Sequence, residues 1–154
     1  MELKKITSFT VDHRKVGIGM YISRIDGDIA TYDVRMCKPN GGVYMDYAAM
    51  HTIEHLFATY ARSSELGENV VYVGPMGCRT GFYLLTRGIS HEQALQLAKD
   101  SFAFIADFKG EIPGCSEIEC GNYLEHDLEG AKREIAPWNK AMENYSVENM
   151  NYPQ

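Results

Sequence analysis

The segment MHTIEHLFATY, residues 50 to 60, sets His51, Glu54 and His55 at helical spacing. At about 100° per residue, with His51 at zero, Glu54 lies near about 300° and His55 near about 40°, so the three share one face. Neutral imidazoles four residues apart can both reach one cation, and a carboxylate on the same face can act as base on a bound water or substrate. Met50, Ile53, Leu56, Phe57 and Tyr60 gather on the other side of the wheel. Ala48 and Ala58 share the front with the histidines, which carries no lysine and no further glutamate, so that face is expected to be enclosed.

H-x-x-E-H is the inverted form of the zinc-peptidase motif. A catalytic ion needs a third protein ligand and an open position, and Cys78, His91, Cys115, Cys120, Glu125, His126 and Glu129 lie downstream as candidates. A glutamate on a later helix, Glu125 or Glu129, would complete a small metallopeptidase. A cysteine would complete a His/His/Cys centre, either catalytic or a staple for the fold. The plainest alternative is a pair of core histidines with ordinary hydrogen-bond partners.

Two cysteines stand in turn contexts. Cys78, in GPMGCRTGFY, is surrounded by glycines that let a ligand approach the backbone, and the adjacent Arg79 is a cation able to favour its thiolate. Cys120, in ECGNY, is expected just before a helix, whose N-terminus would also favour a thiolate. The spacing alone does not separate Cys120 from Cys115 as a ligand.

These groups must be held by secondary structure. Residues 18 to 37 contain two β-prone runs separated at Asp26-Gly27, a hairpin signal. Asp46 is the expected N-cap of the histidine helix, which should run to about Arg62. NVVYV and TGFYLLTR, joined by GPMGC, are expected strands, and Ser90 with Gln93 forms a capping-box pattern for a second helix. A third helix is expected within 121 to 145, with Pro137 kinking or ending it. Strands and helices without regular βαβ alternation indicate an α+β fold: an antiparallel sheet packed with helices, in a single domain over residues 1–154, with the metal site on one helix.

A net charge of −6 with no basic cluster disfavours nucleic acid and anionic membranes as partners. No run reaches the ~18 apolar residues of a membrane span, and the N-terminus lacks the apolar core of a signal peptide. A cytoplasmic setting is therefore expected, with Cys37, Cys78, Cys115 and Cys120 as reduced thiols.

Five blocks, SFTVDH, YDVRMCKPN, HTIEHLFATYARS, GPMGCRTGFYL and CGNYLEHDLEGAKRE, resemble the S-ribosylhomocysteine lyase (LuxS) family in order and spacing. They span about residue 8 to 134. The segment KVGIGMYISRIDG departs from the family pattern in lacking an AP-x-x-R stretch, and the tail after Pro137 falls outside the resemblance. The resemblance implies a homodimeric metalloenzyme with Fe²⁺, replaceable by Zn²⁺ or Co²⁺, on His51, His55 and Cys120. It implies Glu54 and Cys78 as the catalytic pair, and Ser8, His13, Arg35 and Arg62 as substrate-binding residues. The implied reaction turns S-ribosylhomocysteine into homocysteine and 4,5-dihydroxy-2,3-pentanedione, the autoinducer-2 precursor. The sugar carbonyl migrates until the sulfur lies β to a ketone and can leave. The amino-acid end of such a substrate calls for a cation, and Arg35 or Arg62 could supply a bidentate contact to its carboxylate.

Overall fold

The hairpin forms where the residues demand it. Strand β1 (Gly19–Asp26) ends and β2 (Ile29–Arg35) begins around Gly27, whose φ of 60° lies in the left-handed region open to glycine. This computed structural model describes residues 1–154. Strands β3 (Val70–Pro75) and β4 (Gly81–Arg87) complete one antiparallel sheet in the order β1-β2-β4-β3. Alternation along β2 decides its two faces: Tyr32 and Val34 point into the core, Asp33 and Arg35 to the outer side.

Three helices cover the inner face: α1 (Tyr47–Ser63), α2 (His91–Asp107) and α3 (Leu128–Ala141). Asp46 caps α1 through the Ala48 N–H, and Ser90 with Gln93 closes the capping box of α2. Ile53, Leu56 and Phe57 of α1 are fully buried, as the wheel requires. Phe102 of α2 packs edge-on against both Phe57 and Trp138 of α3, at ring-centre distances of 4.9 and 4.5 Å. Each such buried side chain contributes about 1.5–3 kcal/mol, which fixes α1 as a rigid platform for its opposite face.

One expectation is narrowed at α3 and another corrected. Of the two outcomes expected at Pro137, ending the helix is excluded, because α3 continues to Ala141. The missing N–H of Pro137 is offset by the next residue, Trp138, which is fully buried and donates through its indole N–H to Gly19 O at 3.1 Å. The helix also starts at Leu128, well past Cys120, so Cys120 sits in a turn-rich loop instead of at a helix N-terminus. Asp127 caps α3, and its own N–H is taken by Thr52 Oγ1 of α1 at 2.9 Å, locking the loop's exit onto the histidine helix.

Both ends of the chain lie against the sheet. Thr7–Phe9 forms a short 3-10 turn near β1, and the C-terminal tail follows the free edge of β1, with Ile22 N–H donating to Met150 O at 2.8 Å. The Tyr145 hydroxyl donates to Met20 O at 2.7 Å and accepts from Met20 N–H at 3.1 Å, and burial pushes its pKa up to about 12. No helix is long and apolar enough to cross a membrane.

Candidate metal centre and thiol cleft

His51 and His55 project from the front of α1, and the loop between α2 and α3 folds over them. His51 Nδ1 lies 2.7 Å from Glu125 O, and His55 Nδ1 2.9 Å from Pro113 O. A carbonyl only accepts, so both Nδ1 atoms carry the proton and both Nε2 atoms present lone pairs. Those Nε2 atoms lie 3.4 and 3.9 Å from the Cys120 thiol sulfur. Tetrahedral coordination with metal–sulfur and metal–nitrogen lengths of about 2.3 and 2.0–2.1 Å puts such atoms about 3.6 Å apart, so the spacing fits one ion. His51, His55, Cys120 and His126 bring their donor atoms within 4.8 Å of one another.

His126 Nε2 is 3.9 Å from the sulfur, and its Nδ1 is 3.0 Å from Thr52 Oγ1. Its ring stacks on His51 with centres 3.9 Å apart and planes only 22° from parallel. An imidazole lone pair lies in the ring plane, so the stacked His51 and His126 rings aim theirs nearly alongside one another, whereas the His51 and His55 rings stand at 88°. Burial pushes the His126 pKa down to about 4, with the neighbouring His51 and His55 adding to the effect, so it stays neutral at pH 7. The histidine face is half-buried, so the expected enclosure is partial in the single chain. Glu54 shares that face, half-buried, and no ion pair engages it.

Cys78 occupies a second place. Its side chain lines a cleft of about 340 Å³ on the outer side of the sheet, together with Ser8, His13, Arg35 and Tyr83. His13 Nδ1 lies 2.9 Å from Val11 O, which leaves its Nε2 as an acceptor. Arg35 is only 3% exposed, and its fork is already committed: Nε and Nη2 to the Asp33 carboxylate at 3.0 and 2.6 Å, and Nη1 to Thr80 Oγ1 at 2.7 Å. Thr80 Oγ1 is in turn 3.0 Å from the Cys78 sulfur. The cation linked to Cys78 by hydrogen bonds is therefore Arg35, through Thr80, and not Arg79. Arg79 takes a φ of 61° that turns its guanidinium away, to Met45 O at 3.1 Å and over the Tyr47 ring at 4.5 Å. None of the residues lining the cleft belongs to the metal cluster.

Arg62 is exposed at the end of α1 and donates to Val70 O and Val71 O at 3.2 and 3.0 Å, outside the cleft. The Glu125 side chain accepts from Asn122, its backbone serves His51, and neither Glu125 nor Glu129 joins the cluster. His91 Nδ1 pairs with the Tyr32 hydroxyl at 2.7 Å, and Cys115 stands outside the metal group. Cys37 is half-buried, and burial pushes its thiol up, as befits packing. Thr52, Thr80 and Asp33 escaped the sequence reading. Thr52 had one signal, a polar residue at the margin of the apolar arc, and Asp33 with Arg35 had another, opposite charges two apart in a strand.

Residues 6–149 match the sequence profile of a family described as S-Ribosylhomocysteinase (LuxS). The chain belongs to the S-ribosylhomocysteine lyase family. Curated proteins called S-ribosylhomocysteine lyase align with it nearly end to end. That of Phocaeicola vulgatus is 44% identical over 98% of this chain and 98% of its own length. That of Clostridium acetobutylicum is 44% identical over 99% and 100%, and that of Borreliella burgdorferi 45% identical over 98% and 100%. Membership in this lyase family agrees with the blocks around His51, Cys78 and Cys120, and the matched span stops short of the last five residues.

Proposed function

We propose that the chain is a metal-dependent carbon–sulfur lyase that cleaves S-ribosylhomocysteine to homocysteine and 4,5-dihydroxy-2,3-pentanedione. The observation that carries this reading is the convergence of the His51 and His55 lone pairs on the Cys120 sulfur, in a chain of this family. His51, His55 and Cys120 hold one divalent ion, with His126 stacked beside them and one position left open. Fe²⁺ is our assignment, and Zn²⁺ or Co²⁺ suit the same donors. Such an ion supplies Lewis acidity that makes protons beside a carbonyl easier to remove.

The chain's own groups then move those protons. Glu54, on the metal face, and Cys78, as thiolate, alternate as base and acid on successive carbons of the sugar. Once the ketone reaches the third carbon, loss of a proton at the fourth breaks the bond between the fifth carbon and sulfur, and homocysteine leaves. Ser8 and His13, in the cleft with Cys78, contact the sugar hydroxyls. Arg35 acts on the thiol, because its fork is held by Asp33. Arg62 keeps part of its donor fork for the amino-acid carboxylate.

The active form is a homodimer in which the metal cluster of one copy faces the thiol cleft of the other. Support comes from the absence of shared residues between cluster and cleft, and from bare apolar side chains beside each. Ile6 and Phe9 flank the cleft at 54% and 66% exposure, and Ile118 and Leu124 flank Cys120 at 97% and 81%. Four free cysteines suit the cytoplasm, where we place the protein. A metallopeptidase is disfavoured because the cluster contains neither Glu125 nor Glu129. Whether the product serves quorum sensing or the step only recycles a methyl-cycle by-product is set outside this chain. The test is release of free homocysteine thiol from S-ribosylhomocysteine by anaerobically purified, metal-loaded protein. Release supports the lyase, and no release from fully loaded protein overturns it.

A further inference from the structure

Asp33 and Arg35 leave β2 on its outer face yet are only 1% and 3% exposed. A buried ion pair is costly unless its remaining lone pairs and protons find partners. At one end the partner is the turn that carries Cys78. Arg35 Nη1 donates to Thr80 Oγ1 at 2.7 Å, and a guanidinium can only donate, so the Thr80 hydroxyl accepts there. Its own O–H is left for the Cys78 sulfur, 3.0 Å away. At the other end the partner is the C-terminal tail. The Tyr152 hydroxyl donates to Asp33 Oδ2 at 2.7 Å, and its ring stacks on Tyr21 with centres 5.0 Å apart. Burial, followed by the Asp33 charge, pushes the pKa of this phenol upward, so it stays protonated and remains a donor.

We propose that Tyr152 is a positioning residue for the Cys78 thiolate, acting through Asp33, Arg35 and Thr80. By donating to Asp33 it keeps the ion pair fixed and dry, so that Arg35 polarises the Thr80 hydroxyl and that hydroxyl stabilises the thiolate. Tyr152 lies beyond the family match at residues 6–149. The tail does not depend on this one hydroxyl, because Met150 O and the Tyr145 hydroxyl already tie it to β1. The titratable groups around Cys78 are Arg35, His13 and Tyr83 in the cleft and Cys37 behind it, with the Arg79 guanidinium turned away. The inference deepens the proposed function and rests on Cys78 being its reactive thiol.

The test is the pH profile of iodoacetamide alkylation of the metal-loaded protein, read peptide by peptide by mass spectrometry. Tyr152→Phe keeps the ring stack and removes one hydroxyl. Its Cys78 midpoint moves up by about half a pH unit, about a threefold loss of thiolate below the midpoint, while the other cysteines stay in place. Thr80→Val moves it further, and Thr80→Ser restores the parent profile. A Tyr152→Phe profile for Cys78 that superimposes on the parent overturns the proposal, as does a shift of all cysteines together. No substrate enters this measurement, so failure of the lyase reading appears separately, as parent protein that releases no homocysteine.

Discussion

The metal cluster and the thiol cleft are built on opposite principles. The cluster is anchored on one helix: His51 and His55 come from successive turns of α1, and the distant loop between α2 and α3 brings Cys120 and the carbonyls that hold each imidazole in one tautomer. The cleft is assembled from far apart in the chain, with Ser8 and His13 near the start, Arg35 on β2 and Cys78 on the β3–β4 turn. A helix can present a charged metal to one side without burying charge. The Cys78 thiol stands on a sheet turn, linked through Thr80 to Arg35, a cation that is buried and paired with Asp33. The metal end therefore gains its rigidity from hydrophobic packing behind α1, the thiol end from a polar network.

Breaking either region separates the two. The largest effect is expected from Cys120→Ala, which removes stoichiometric metal from the protein, by elemental analysis, and abolishes turnover with it. Cys78→Ala leaves the metal in place and lowers homocysteine release by about 10²–10⁴-fold, the usual worth of a positioned proton carrier. Full metal and full turnover in that variant would remove Cys78 from the mechanism. Thr52→Val touches neither ligand nor thiol. It leaves the Asp127 N–H and the His126 ring without their partner and lowers stability by about 1–3 kcal/mol, seen in thermal or urea unfolding.

The smallest effect is a pH slope. His126 titrates at about 4 when folded and near its ordinary value of about 6.5 when unfolded. Between those values the unfolded chain binds more protons, so the metal-free protein loses stability as pH falls through that window and this group contributes no slope above it. His126→Gln flattens that part of the unfolding midpoint against pH, and an unchanged slope would place the titrating group elsewhere.

Much of the local region was legible from residue spacing. The wheel of α1, both helix caps and the Asp26-Gly27 hairpin follow from short-range rules that the finished fold does not oppose. The antiparallel sheet and the α+β class followed from the order of elements. Tertiary packing was less legible: α3 runs on through Pro137, which settles only that the helix does not end there, and Cys120 lies in a loop whose backbone serves the histidines of α1 and not at a helix start. The cleft was invisible as a cleft, since no periodicity connects Ser8, Arg35 and Cys78. Arg79 was misjudged for a related reason, because adjacency in sequence says nothing of where a left-handed φ of 61° sends the side chain.

The central claim is that cluster and cleft form one active site across two copies. Mixing Cys120→Ala with Cys78→Ala tests it directly, because each mixed dimer then carries one site with both halves intact. With random exchange, half of the dimers are mixed and half of their sites are whole, so the account predicts recovery of about a quarter of parent homocysteine release. A mixture shown by differential tags to contain both variants in one particle, yet as inactive as either alone, would contradict it.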